Sequence, residues 1–378
     1  MRGIFSPRII AAHLAILAIL GLVIAGTVVF GGLYNVSARL GHLPGVSWVL
    51  HTTYHNSVDL YAPPESEVPP DLDDAGRIAL GAGHFDQACR FCHASPGEQQ
   101  SQTAQAMNPR PPHIEEAADH WQPRHFFWIV HEGVKMSGMP QWPTASRDDG
   151  VWSVVAFLMA VKEGMNHQQY EALLGRDGPA RAMARTERPA AAAPCVTCHG
   201  EDGLGRGGSY IPRLDIQNTT YLTAALEAYR SGSRQSGFMA HAASVPEADE
   251  LAELAAWYGA MPVADPKGEA KSDAALMERG EELAYGRDPK KNVPACVACH
   301  GHGEGPKGAL FPALSGQYEA YLVEQLHAFR ERERGGTDRV TLMKKAAHDL
   351  TDGQIDALAA WYAAQPARKA EAGEPQQR

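Results

Sequence analysis

Cys-x-x-Cys-His occurs three times in this chain, and the three copies use all six of its cysteines. They are Cys89–Cys92–His93, Cys195–Cys198–His199 and Cys296–Cys299–His300. Two sulfurs three residues apart leave a helical turn on the same side, so both can reach the vinyl edge of one porphyrin. The histidine that follows then lies beneath the iron and supplies an axial nitrogen. The pattern reads as covalent c-type haem attachment. The bland alternatives fit less well. A zinc site is built from two Cys or Cys/His pairs, not from three pairs each followed directly by histidine. A redox disulfide across a two-residue gap belongs with βαβ patterning, which the sequence lacks. Three covalently bound haem c groups are the expectation.

Residues 9–30 form a 22-residue apolar run, and no charged residue occurs from position 9 to position 38. At about 1.5 Å per residue such a helix spans the ~30 Å hydrocarbon core of a bilayer. Arg2 and Arg8 precede it, which puts the N-terminus in the cytoplasm by the positive-inside rule. The run is longer than the usual hydrophobic region of a cleaved signal, so a retained anchor is expected. A signal cleaved near Val36-Ser37-Ala38 is the alternative. Everything beyond the anchor then lies outside the cytoplasm. The expected location is the bacterial inner membrane, crossed once, with the haem domains in the periplasm. A formal charge of −10 argues against nucleic acid and for partners with a basic docking patch.

Composition shifts divide the chain into an anchor (residues 1–34), a Pro-rich stalk (35–74), a first module (75–173), a linker (174–190), a second module (191–263), a linker (264–272), a third module (273–366) and a tail without apolar periodicity (367–378). Modules two and three are copies. Pro212-Arg213-Leu214, Gln217, Tyr221-Leu222 and Tyr229-Arg230 recur 100 residues later as Pro312-Ala313-Leu314, Gln317, Tyr321-Leu322 and Phe329-Arg330. Met239, Ala242-Ala243 and Trp257-Tyr258 match Met343, Ala346-Ala347 and Trp361-Tyr362 at an offset of 104. Module one is a more distant relative whose closing helix falls at residues 151–161, with Trp152 and Phe157 on its packing face. Helical periodicity before each motif and at the module ends, with little strand signal, predicts an all-α fold. Modules this small build modest cores, so the haem is expected to complete each interior.

The second axial ligand decides whether a haem carries electrons or binds substrate, and a methionine there closes the site and raises the potential. Met239 lies 40 residues after His199, and Met343 lies 43 after His300. Met261 is excluded because its counterpart in the repeat is Gln365. In module one Met139 lies 46 residues after His93. It follows glycine and precedes proline, an extended and rigid setting, and is favoured over Met136 and Met107. His125, His131, His241 and His348 are alternative ligands that would give bis-histidine haems, but they read better as solvated or packing residues. Residues 330–334, Arg-Glu-Arg-Glu-Arg, read as an exposed helix face or a docking patch.

The three modules resemble class I c-type cytochrome domains, and residues 190–366 are similar to tandem dihaem cytochromes of the c-four type. Phe311-Pro312-Ala313-Leu314-Ser315-Gly316-Gln317, Tyr321, Arg330 and Met343 carry that likeness. The resemblance implies that the carbonyls of Pro212 and Pro312, and of Pro112 in module one, accept a hydrogen bond from the axial histidine. It also implies two haems that meet near the domain interface and exchange electrons. The expected function is single-electron transfer without catalytic residues. The donor would be a respiratory dehydrogenase or quinol-oxidising protein, and the acceptor a haem-copper oxidase or small soluble cytochrome. The alternative is a haem enzyme of peroxidase or nitrite-reducing type, which requires one open axial site.

Overall fold

The computed structural model describes residues 7–176, 188–206, 210–264, 273–287, 293–302, 305–337 and 339–369. Among these residues every regular element is helical and no strand occurs, as the periodicity predicts. Helix Pro7–Phe30 has mean hydropathy 2.6 over its most apolar window and no buried residue, so it is long and apolar enough to cross a membrane.

The segment expected as a plain stalk carries a helix, Val46–Tyr61, that docks on module one. Tyr54, Val58 and Tyr61 fall at i, i+4 and i+7 and form one stripe. Val58 is fully buried, Tyr54 packs edge-on to Trp121, and Tyr61 stacks on Trp128. Short aromatic stripes of this kind are easily read as linker when prolines flank them.

In module one, helix Ala75–His84 crosses the closing helix Asp148–Lys162. Asp74 starts the first of these by accepting from the amides of Gly76 and Arg77 at 2.8 and 2.9 Å. The crossing is close because Gly81 has no side chain: a Cβ there would overlap the carbonyl of Ser153. Module three repeats the device where helix Ala274–Ala284 crosses Asp352–Ala363, with Gly280 beneath the carbonyl of Ala357. Gly280→Ala is expected to lower the stability of module three by about 1–3 kcal/mol, the usual cost of overpacking, read from the thermal melting of its haem absorbance. In module two the residues described before the motif form only the short turn Ala190–Ala192, and 177–187 lie outside the described residues. Its closing helix Ala248–Ala260 packs on Thr219–Arg230.

The closing helix of module one begins earlier than expected and is buried on most of its faces, Val151 and Phe157 completely. Helices Ala75–His84, Ile114–His120 and Pro123–Glu132 cover it within the module. Phe238 of module two joins the same apolar cluster and packs edge-on to Trp142. Modules one and two therefore share a core.

Candidate haem-binding site

Each attachment motif ends a short helix: Arg90–His93, Ala193–His199 and Val297–His300. The next residue has positive φ in all three, at 58° for Ala94, 76° for Gly200 and 68° for Gly301. That conformation turns the chain sharply away from the histidine and suits glycine best. The three histidine rings are held as the resemblance implies. Nδ1 of His93 donates to the Pro112 carbonyl at 2.9 Å, His199 to Pro212 at 3.4 Å and His300 to Pro312 at 3.0 Å.

With Nδ1 engaged, Nε2 is the nitrogen left for a metal, and in His300 it is buried without a hydrogen-bond partner. Burial lowers the pKa of all three rings, His199 down to about 4. Burial thus favours the neutral imidazole, the form that binds iron. Burial also pushes the thiols of Cys89 and Cys198 up to about 12 and those of Cys195 and Cys296 up to about 11.

A single cavity of about 730 Å³ runs between modules two and three. Cys195, Cys198, His199 and Met239 line it from one side, and Cys296, Cys299, His300 and Met343 from the other. Its wall is otherwise largely apolar, with Leu222, Leu226 and Leu254 of module two and Leu322, Leu326 and Leu358 of module three among its lining. Several arginines also line it; Arg147 and Arg213 are paired with Asp149 and Asp215, whereas Arg234 and Arg334 are 4% and 7% exposed. Arg234 donates to the hydroxyls of Tyr221 and Tyr321 at 3.3 and 3.4 Å, and Arg334 to Gln325 at 2.6 Å. Neither has a carboxylate partner among the described residues, and the Nε of each is buried without a bond. Buried cations call for an anion. An apolar enclosure, a free imidazole nitrogen, paired sulfurs and two uncompensated cations fit haem c with its propionates. Bound there, haem iron would cycle between ferrous and ferric states and carry one electron.

Met239 rides on helix Gly237–Ser244, capped by the Ser236 hydroxyl, and Met343 on Val340–Ala347. Met261 does not line the cavity; its sulfur lies against Gly203. In module one Met139 is half-buried, its amide donating to Ser137 Oγ at 3.1 Å, whereas Met136 is 93% exposed. Met107 packs its methyl against Gly138. Among the other histidines, His125 packs on Trp121, His131 stacks on Phe127 and His348 is exposed.

Sequence reasoning missed Arg234 and Arg334. The run at 330–334 was read as an outward face, but Arg334 turns inward while Glu331 and Arg332 stay exposed. The 100-residue offset was the available signal, since it pairs Arg334 with Arg234. Also missed were His84 and Gln87 of module one, which line the cavity beside module two. Gln87 donates to the Pro194 carbonyl at 3.0 Å and reaches Cys198 Sγ at 3.8 Å. A Cβ on Gly83 would meet the same sulfur at 2.8 Å.

An all-helical fold among the described residues, carrying Cys-x-x-Cys-His motifs whose histidines are each held by a proline carbonyl, is that of a c-type cytochrome. Residues 76–158 match the family described as cytochrome c oxidase, cbb3-type, subunit III, and residues 263–363 match cytochrome c. A stretch of 178 residues is 37% identical to the thiosulfate dehydrogenase electron acceptor of Thiomonas intermedia (strain K12), over 47% of this chain and 81% of that protein. Another alignment, of 203 residues, is 31% identical to cytochrome c4 of Stutzerimonas stutzeri, over 50% and 92%. The crystal structure of reduced recombinant cytochrome c4 from Pseudomonas stutzeri aligns with TM-score 0.42 and 29% identity, over 46% of this chain and 95% of that one. This chain belongs to the multihaem class I c-type cytochromes, and its relatives are electron-transfer proteins.

Proposed function

We propose that the chain is a membrane-anchored periplasmic relay of three haems c, bound at Cys89/Cys92, Cys195/Cys198 and Cys296/Cys299. Their axial pairs are His93/Met139, His199/Met239 and His300/Met343, in modules spanning 75–173, 191–263 and 273–366. The observation that carries this reading is the contact of successive attachment segments. Gln87, two residues before Cys89, reaches Cys198 of module two, and the motifs of modules two and three open into one cavity. Electrons would then pass in chain order, with module two in the middle. The name of the Thiomonas relative favours a dehydrogenase donor of the kind that oxidises small inorganic sulfur anions. The family matched by module one favours a haem-copper oxidase as acceptor. The apolar helix Pro7–Phe30 would hold the relay at the membrane.

Membranes washed with alkaline carbonate are expected to retain the protein and to give three covalent haems per chain after denaturing extraction. Two or fewer haems in a fully matured sample would overturn the relay. Release into the soluble fraction with a new N-terminus near Arg39 would replace the anchor by a cleaved signal.

A further inference from the structure

Each copy of the repeat grips the peptide that holds the other copy's histidine. Gln217 of module two accepts from the Ala313 amide at 3.0 Å and donates to the Ala313 carbonyl at 2.9 Å. Gln317 of module three accepts from the Arg213 amide at 2.9 Å and donates to the Arg213 carbonyl at 3.1 Å. The Ala313 N–H belongs to the same peptide group as the Pro312 carbonyl, which receives His300 Nδ1. The Arg213 N–H likewise shares its peptide with the Pro212 carbonyl, which receives His199 Nδ1. Two hydrogen-bonded chains therefore cross the module boundary, Gln217 to His300 and Gln317 to His199. The two glutamines are 5% and 2% exposed, so water does not compete for these bonds.

We propose that Gln217 and Gln317 are positioning residues that each set the redox potential of the haem in the opposite module. The proposal rests on His199 and His300 being axial ligands. An amide N–H engaged by a good acceptor polarises its peptide and strengthens the hydrogen bond at the carbonyl end, by about 10–30% per bond. A stronger bond to Nδ1–H gives the imidazole more imidazolate character and makes it a more basic ligand. Basic axial nitrogen favours ferric over ferrous iron. Each glutamine thus lowers the potential of the haem across the boundary. The effect is larger on module three, where the histidine–proline bond is 3.0 Å rather than 3.4 Å.

The test is spectroelectrochemistry of the full-length holo-protein carrying Gln217→Met or Gln317→Met, with each haem identified by its shifted haem-methyl resonances. Gln217→Met is expected to shift the module-three ferric/ferrous equilibrium toward ferrous by up to tenfold, about 59 mV for one electron. The module-two haem should stay near its wild-type value, and Gln317→Met should reverse the pattern. A shift confined to the variant's own module, an equal shift in both, or none in either would overturn the proposal. Should neither variant mature, the wild-type protein decides. The side-chain amide resonances of Gln217 are expected to move at the midpoint of the module-three haem, and movement at the module-two midpoint alone would overturn the proposal. Failure of the ligand reading is seen separately: His300→Ala would then leave the low-spin spectrum of module three intact.

Discussion

Replacing Met239 or Met343 by alanine is expected to yield a protein in which one haem binds carbon monoxide and its potential falls, while Met261→Ala does neither. Met239 and Met343 line the same cavity as their own modules' attachment residues. Met261 stands outside that cavity, closing helix Ala248–Ala260, and its carbonyl takes the Lys369 ammonium. Its counterpart Gln365 instead bonds His302 at 2.9 Å, a role no thioether sulfur would fill as well. Loss of a thioether ligand destabilises ferrous iron. Axial ligand identity moves haem potentials across about 0.8 V, so the fall should be large in a potentiometric titration. Carbon monoxide difference spectra should show one newly accessible iron. The same pair of measurements separates Met139→Ala, which should open the module-one iron, from Met136→Ala, whose side chain faces solvent. A wild-type protein that already binds carbon monoxide would favour a haem enzyme with an open site. Altered ligation in Met261→Ala alone would break the alignment of the two repeats.

Arg213→Ala is expected to cost about 3–5 kcal/mol, the penalty for leaving one member of a buried ion pair uncompensated. Arg213 and Asp215 are both fully buried and meet in a two-pronged contact at 2.9 and 2.6 Å. The guanidinium also donates to the carbonyls of Gly316 and Ala264, and Asp215 accepts from the Ala264 amide. The pair therefore ties module two both to module three and to the chain segment leaving module two. The repeat itself supplies the repair. Where module two has Arg213 and Asp215, module three has Ala313 and Ser315. Arg213→Ala combined with Asp215→Ser should recover most of the loss, because replacing a whole buried ion pair is often close to neutral. Denaturant unfolding of the single and double variants gives the coupling directly. A single-variant cost below about 1 kcal/mol, the level of an exposed pair, would mean that water reaches the pair.

The helical class, the apolar first helix and the haem motifs were legible in the sequence, and the proline acceptors followed from the resemblance to c-type cytochromes. The first three are written in local spacing: a helical period, a run without charge, two sulfurs on one turn. What escaped was set by packing between segments far apart in the chain. Helix Val46–Tyr61 forms on module one because Trp121 and Trp128 wait there, and nothing within residues 35–74 declares those partners. Arg334 sits among alternating charges, and only the fold says which of them turns inward. Gln217 and Gln317 were visible as repeat matches. Their contacts with Ala313 and Arg213, however, need two modules brought face to face.

That reciprocal grip has the form of an isologous interface, in which one patch meets a second copy of itself and each contact is made twice. Modules two and three thus look like a symmetric dimer whose subunits were joined end to end. Joining frees some positions to drift: Arg213 and Ala313 occupy equivalent places and no longer match. It binds others more tightly, because a change in either glutamine is felt by its sister copy rather than by its own. Neither half can be inherited, truncated or exchanged as an independent cartridge without leaving the other half's histidine support unfinished.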